Sequence, residues 1–88
     1  MKQVNHPEIV KRLKRAEGHL RSIINMFEAE RKCIDLVQQL HAVENAVANA
    51  KTQLIHDHME HCLSHAAEHE ALDAKGVLTE LRALTKYL

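Results

Sequence analysis

Residues 33–54 read CIDLVQQLHAVENAVANAKTQL, and the order of their apolar side chains decides the fold. Cys33, Leu36, Leu40, Val43, Val47, Ala50 and Leu54 follow one another at alternating steps of three and four. That alternation is the a/d repeat of a coiled-coil seam, one stripe along an α-helix. Steps of four along the same stripe then reach His58 and Cys62, so one helix is predicted from about residue 31 to about residue 66. At 1.5 Å per residue it would be roughly 50 Å long, more than a compact chain of 88 residues can shelter. The seam therefore calls for a second copy of itself.

Upstream, NHPE at 5–8 carries a helix-start signal: Asn5 can cap, Pro7 suits the first turn, and Glu8 sits where a capping-box acid belongs. Ile9, Val10, Leu13, Ala16, Leu20, Ile23, Ile24 and Phe27 then recur on one helical face. Lys11, Lys14, Arg15 and Arg21 fall on another, with Arg12 among them in sequence. Gly18, costly in mid-helix, suggests a close approach by another backbone. The stretch EAERK at 28–32 interrupts the pattern and is read as a turn. Downstream, the pattern is lost around AAEHEALDAKG and returns at Val77, Leu78, Leu81, Leu84 and Leu88 as a short third helix. The predicted fold is all-α, a three-helix protomer forming one domain over residues 1–88.

Composition agrees: 45% of residues are hydrophobic but only 2% aromatic, so the core is aliphatic. No apolar run follows a basic start and none reaches 18 residues, which argues against a signal peptide or a membrane span and for a cytoplasmic protein. In that reducing compartment two cysteines point to ligands or reactive thiols rather than a disulfide. The net charge of zero hides an asymmetry: residues 1–22 carry six Lys/Arg and two Glu, whereas residues 53–73 carry five acids and no Lys or Arg. A solvated helix face is the ordinary reading of such a basic stripe; repeated by oligomerisation, it becomes a surface for phosphate contact.

The stretch HDHMEHCLSHAAEH at 56–69 concentrates five histidines and a cysteine. His58, His61, Cys62, His65 and His69 share an arc of about 100°, with His56 on the opposite side. Only His58 and Cys62 prolong the seam, and an i, i+4 His/Cys pair is half of a metal site. Cys33 lies on the same seam but 25 residues before His58, roughly 37 Å away on a straight helix. Two copies paired antiparallel about Ala46 or Val47 would bring Cys33 of one chain beside His58 and Cys62 of the other, giving two equal Cys-His-Cys sites.

RLKRAEGHLRSI at 12–23, CIDLVQQLHAVENAVANAK at 33–51 and LIHDHMEHCL at 54–63 closely resemble the copper-sensitive operon repressors, a family that also holds nickel/cobalt, formaldehyde and persulfide sensors. The resemblance extends from about residue 6 to residue 87. It implies an antiparallel four-helix-bundle dimer, a dimer of dimers, and repression by binding operator DNA that is released when the inter-subunit site fills. By the same resemblance Cys33, His58 and Cys62 are the ligands, and Glu80 is a third-helix acid contacting the ligand histidine. Lys32 stands where copper members usually have tyrosine, and the histidine run together with His6 offers more nitrogen than copper(I) needs.

Two thiolates and one imidazole suit trigonal copper(I); nickel or cobalt would need further donors such as His61 or His6, and zinc a fourth ligand. His61 is otherwise a solvated neighbour, and His65, His69 and His19 are read as surface or structural residues. His6 would reach the site if the start of helix 1 packs on the ligand end of helix 2. Persulfide or disulfide bridging of Cys33 and Cys62 is a different class of reading, weakened by His58, which sulfur chemistry does not require. Metal storage would leave the basic residues Lys11, Arg12, Lys14, Arg15, Arg21 and Lys51 without a role. An enzyme would need an open pocket that no loop here supplies.

Overall fold

Pro7 sets where the first helix begins, because its fixed φ and missing N–H suit the first helical position. The computed structural model describes residues 6–68 and 74–88, with side chains for 6–64 and 75–88. The chain forms α1 (Pro7–Glu28), α2 (Cys33–Glu68) and α3 (Ala74–Thr85), with no strand among the described residues. The all-α, three-helix expectation holds, while its start signal needs correction. The cap position is His6, which makes no side-chain cap hydrogen bond. Glu8 is thus the second helical residue, one short of the capping-box position. It still places negative charge in the first turn, where the helix dipole favours it. Asn5 lies outside the described residues.

α1 ends in a Schellman motif that lacks its usual glycine. The Glu30 N–H donates to the Phe27 carbonyl at 3.1 Å and the Arg31 N–H to the Met26 carbonyl at 3.2 Å. These are the two bonds of that motif. Glu30 takes the left-handed conformation, φ 56°, on which it depends. The turn falls within residues 28–32 as expected, and α2 begins two residues later and ends two residues further on than the periodicity suggested.

Ile9, Ala16 and Ile23 of α1, seven residues apart, are buried, as are Leu36, Val43 and Ala50 of α2. His19 Nε2–H donates to Gln39 Oε1 at 2.6 Å and His6 pairs with Asp57, so the two helices run antiparallel. Ile23 is then level with Leu36, Ala16 with Val43 and Ile9 with Ala50. Only half of the predicted seam is used in this hairpin. Leu40, Val47 and Leu54, the alternate positions, remain 42%, 47% and 42% exposed, next to exposed Leu13, Leu20, Ile24 and Phe27. The protomer measures 59 × 23 × 13 Å, and its thinnest dimension is about one helix diameter. Such a single layer has one apolar side uncovered. A Cβ added at Gly18 would meet nothing within 4 Å, so the close approach read from that glycine is not made within the protomer.

α3 begins three residues before Val77 and packs along the distal part of α2, with Val77, Leu81 and Leu84 half-buried and Leu78 and Leu88 exposed. No helix among the described residues is long and apolar enough to cross a membrane.

Candidate metal centre

His58 and Cys62 lie one turn apart on α2, so their side chains leave the helix on one face. α3 brings Glu80 against both. His58 Nε2–H donates to Glu80 Oε1 at 2.5 Å, and the Cys62 thiol donates to Glu80 Oε2 at 3.6 Å. One donor atom from each of the three residues lies within 4.8 Å of the other two. Cys62 is 2% exposed, while His58 and Glu80 are half-buried. The site is therefore closed on the cysteine side and open on the carboxylate side.

Electrostatics follows from that geometry. Burial pushes the Cys62 thiol above its ordinary range, and the Glu80 charge and its hydrogen bond with the thiol push in the same direction. The Glu80 carboxyl is held below its ordinary range, chiefly by the hydrogen bond from His58. Glu80 is thus ionised at neutral pH and can only accept, so the proton of the hydrogen bond sits on His58 Nε2, and Nδ1 is the ring nitrogen that Glu80 does not engage. An imidazole oriented by a carboxylate and a thiol one turn away is the donor arrangement expected of a soft or borderline metal site. The residues fit such an ion, with two donors on α2 and a third carboxylate donor on α3.

Cys33 is not part of this cluster. It is exposed, and it occupies the first position of α2, with His58 25 residues further along the same continuous helix. His56 is exposed; the side chains of His65 and His69 lie outside the described residues. The start of α1 does pack on the distal part of α2, but it takes His6 to another face. There His6 Nδ1 is 3.6 Å from Asp57 Oδ2, and both line a pocket of about 550 Å³ with His61. Asp57 escaped the sequence reading, although its i, i+4 relation to His61 was a signal for it. Lys11, Arg12, Lys14, Arg15, Arg21 and Lys51 are all exposed and make no ion pair among the described residues.

Comparison with known proteins connects this chain to a family. The description "Metal-sensitive transcriptional repressor" matches residues 5–87. The chain belongs to the metal-sensitive transcriptional repressor family. A relative within it, the copper-sensing transcriptional repressor CsoR of Bacillus subtilis (strain 168), is 39% identical over 74 residues, which span 84% of this chain and 71% of that protein. Two solved structures share the fold. The nickel-responsive transcriptional regulator InrS superposes with a TM-score of 0.85 at 30% identity, over 100% of this chain and 98% of that one. The copper-sensing repressor CsoR with Cu(I) from Geobacillus thermodenitrificans NG80-2 gives 0.80 at 34% identity, over 98% and 91%. Metal-sensitive repressors similar to this chain thus include both copper and nickel sensors.

Proposed function

We propose that this repressor binds operator DNA as a metal-free dimer of dimers and releases it when copper(I) is held by Cys33 of one protomer with His58 and Cys62 of its partner. The observation that carries the reading is the convergence of His58, Cys62 and Glu80, with the His58 Nε2–H directed at the carboxylate, so that Nδ1 is the nitrogen a metal would take. Support for the missing thiolate comes from the uncovered apolar row. Val47 is the midpoint of Leu40 and Leu54, so a two-fold axis at Val47 covers the row by laying Leu40 of one chain on Leu54 of the other. The same axis brings Cys33 level with residue 61 of the partner, between His58 and Cys62.

Bound there, copper(I) would supply a soft centre that two thiolates and one imidazole satisfy. The chain's own part is to give up the Cys62 proton and to keep His58 oriented. When the Cys62 thiol loses its proton, Glu80 loses a donor and faces a thiolate, and its remaining partner is the His58 N–H. That exchange pulls α3 on the histidine and is a route by which site occupancy reaches the helices. Exposed Arg12, Lys14 and Arg15 on α1, repeated in four copies, would contact phosphates, with Lys11, Arg21 and Lys51 extending the footprint. Residues 1–88 are, on this reading, one cytoplasmic regulatory domain and not an enzyme.

A second reading, sensing of nickel, cobalt or zinc, is favoured by the likeness to InrS and by the Glu80 oxygen within 4.8 Å of the nitrogen and sulfur donors. The discriminating experiment is fluorescence anisotropy of the reduced protein on its promoter DNA, titrated in turn with copper(I), nickel, cobalt and zinc. Copper(I) is expected to weaken binding about a hundredfold, a coupling of about 2.7 kcal/mol. Cys33→Ala, His58→Ala and Cys62→Ala should each hold DNA at saturating copper(I), and His56→Ala should release it. Release by nickel but not copper would replace the first reading with the second, and no release by any metal would sink both.

A further inference from the structure

The pocket of about 550 Å³ at the start of α1 is not explained by the thiolate centre. α2 contributes Asp57, Glu60 and His61, and the start of α1 contributes His6, Glu8 and Arg12. At 100° per residue, Asp57, Glu60 and His61 share an arc of about 100°, whereas His58 and Cys62 point about 100° and 140° away from Asp57. Asp57 and Glu60 thus face about 100° or more away from His58 and Cys62; His61 lies between, about 60° from His58, and lines the pocket that His58 and Cys62 do not. Three carboxylates, Glu8, Asp57 and Glu60, stand against one guanidinium, and two imidazoles add nitrogen donors.

We propose that His6, Asp57 and His61 form a second cation site, for a divalent ion of borderline softness such as zinc or cobalt, separate from the Cys62 centre. Nitrogen and carboxylate oxygen without sulfur are the donors such ions accept and copper(I) does not prefer. The His6 Nδ1 to Asp57 Oδ2 separation is 3.6 Å. Two ligand atoms at ordinary zinc distances in a tetrahedron stand roughly 3.4 Å apart, so this pair already spans one edge of the polyhedron. His61, one turn beyond Asp57, lines the same pocket and is the third donor of the proposed site. Glu60 or water completes the shell. Occupancy ties the start of α1 to α2 and sets a double positive charge beside Arg12. A divalent ion thereby acts on the basic end of α1 without passing through the thiolates.

The inference stands apart from the copper reading and can fail apart from it. The test is a cobalt(II) titration of the full chain preloaded with one equivalent of copper(I), followed by visible absorption and by metal content after desalting. The expected result is one cobalt per protomer with ligand-field bands, no thiolate-to-cobalt charge transfer, and no loss of copper. His6→Ala and Asp57→Asn should each weaken this cobalt at least tenfold, and His41→Ala, at an exposed position of α2, should not. Should the chain not hold copper(I), the same titration of a folded Cys33→Ser/Cys62→Ser variant reads the cobalt site alone, with the same expectations. Absence of retained cobalt overturns the proposal. So does thiolate charge transfer in the copper-loaded chain, or cobalt that survives both His6→Ala and Asp57→Asn, which would place it on the other histidines.

Discussion

Glu80 holds two protons' worth of partners with two oxygens, and that arrangement decides how the centre responds to a ligand. His58 donates to one oxygen and Cys62 to the other. Only the second bond must break for the thiol to become a ligand. Glu80→Ala is therefore expected to keep most of the copper(I) affinity, because neither donor atom is removed, yet to lose much of the release of DNA, because the pull on α3 is gone. Anisotropy under saturating copper(I) reads the difference. Since burial, then Glu80, raise the Cys62 pKa, the thiol is protonated at neutral pH, and binding at this sulfur expels a proton. Apparent copper(I) affinity should accordingly rise with pH across pH 6–8, by up to about tenfold per unit for this proton, in a competition titration against a chelator of known pH behaviour. His58 and Cys62 were legible in the sequence because their spacing is a helix turn on the seam. Glu80 was legible only through the family resemblance, since no periodicity tells which α3 residue faces α2. Asp57 is not legible, because an acid among histidines looks like ordinary solvated surface.

At the scale of elements, α1 and α2 came from periodicity with boundaries good to a turn, and the misplacements have local causes. The capping box expected at 5–8 does not form: Pro7 occupies the first helical position, which makes His6 the cap and puts Ile9, not Glu8, three residues on. The α1 end carried no glycine to mark it, yet the backbone closes a Schellman motif around Glu30 at φ 56°. A side chain in that conformation costs about 1–2 kcal/mol, part of which glycine returns as flexibility of the unfolded chain. Glu30→Gly is thus expected to stabilise the fold by about 0.5–1 kcal/mol, visible as a higher Tm in calorimetry with metal affinity unchanged. An unchanged or lower Tm would mean that the turn is held by contacts of Glu30 itself. The seam was read as one surface; the hairpin divides it, with Leu36, Val43 and Ala50 turned to α1 and Leu40, Val47 and Leu54 left outward. The three-four alternation alone could not say which half each neighbour takes.

For the whole molecule, a layer 13 Å thick leaves an apolar row along its longest helix uncovered, and on the proposed reading a second copy of the chain covers it. Val47 sits at the centre of that row. Val47→Asp would place two carboxylates against each other at the axis, and sedimentation should show a shift from tetramer or dimer toward monomer, with loss of DNA binding and little change in helix content. An intact tetramer would remove the axis from this position. The most direct test of the central claim, that each site is shared between chains, is a mixed oligomer of Cys33→Ala chains with Cys62→Ala chains, each inactive alone. In an antiparallel pair the two lesions fall at one end and leave the other end whole. Copper(I) binding by purified heterodimers, counted by metal content and by thiolate absorption, should return to one ion per pair. Well-folded heterodimers that bind no copper would contradict the shared site.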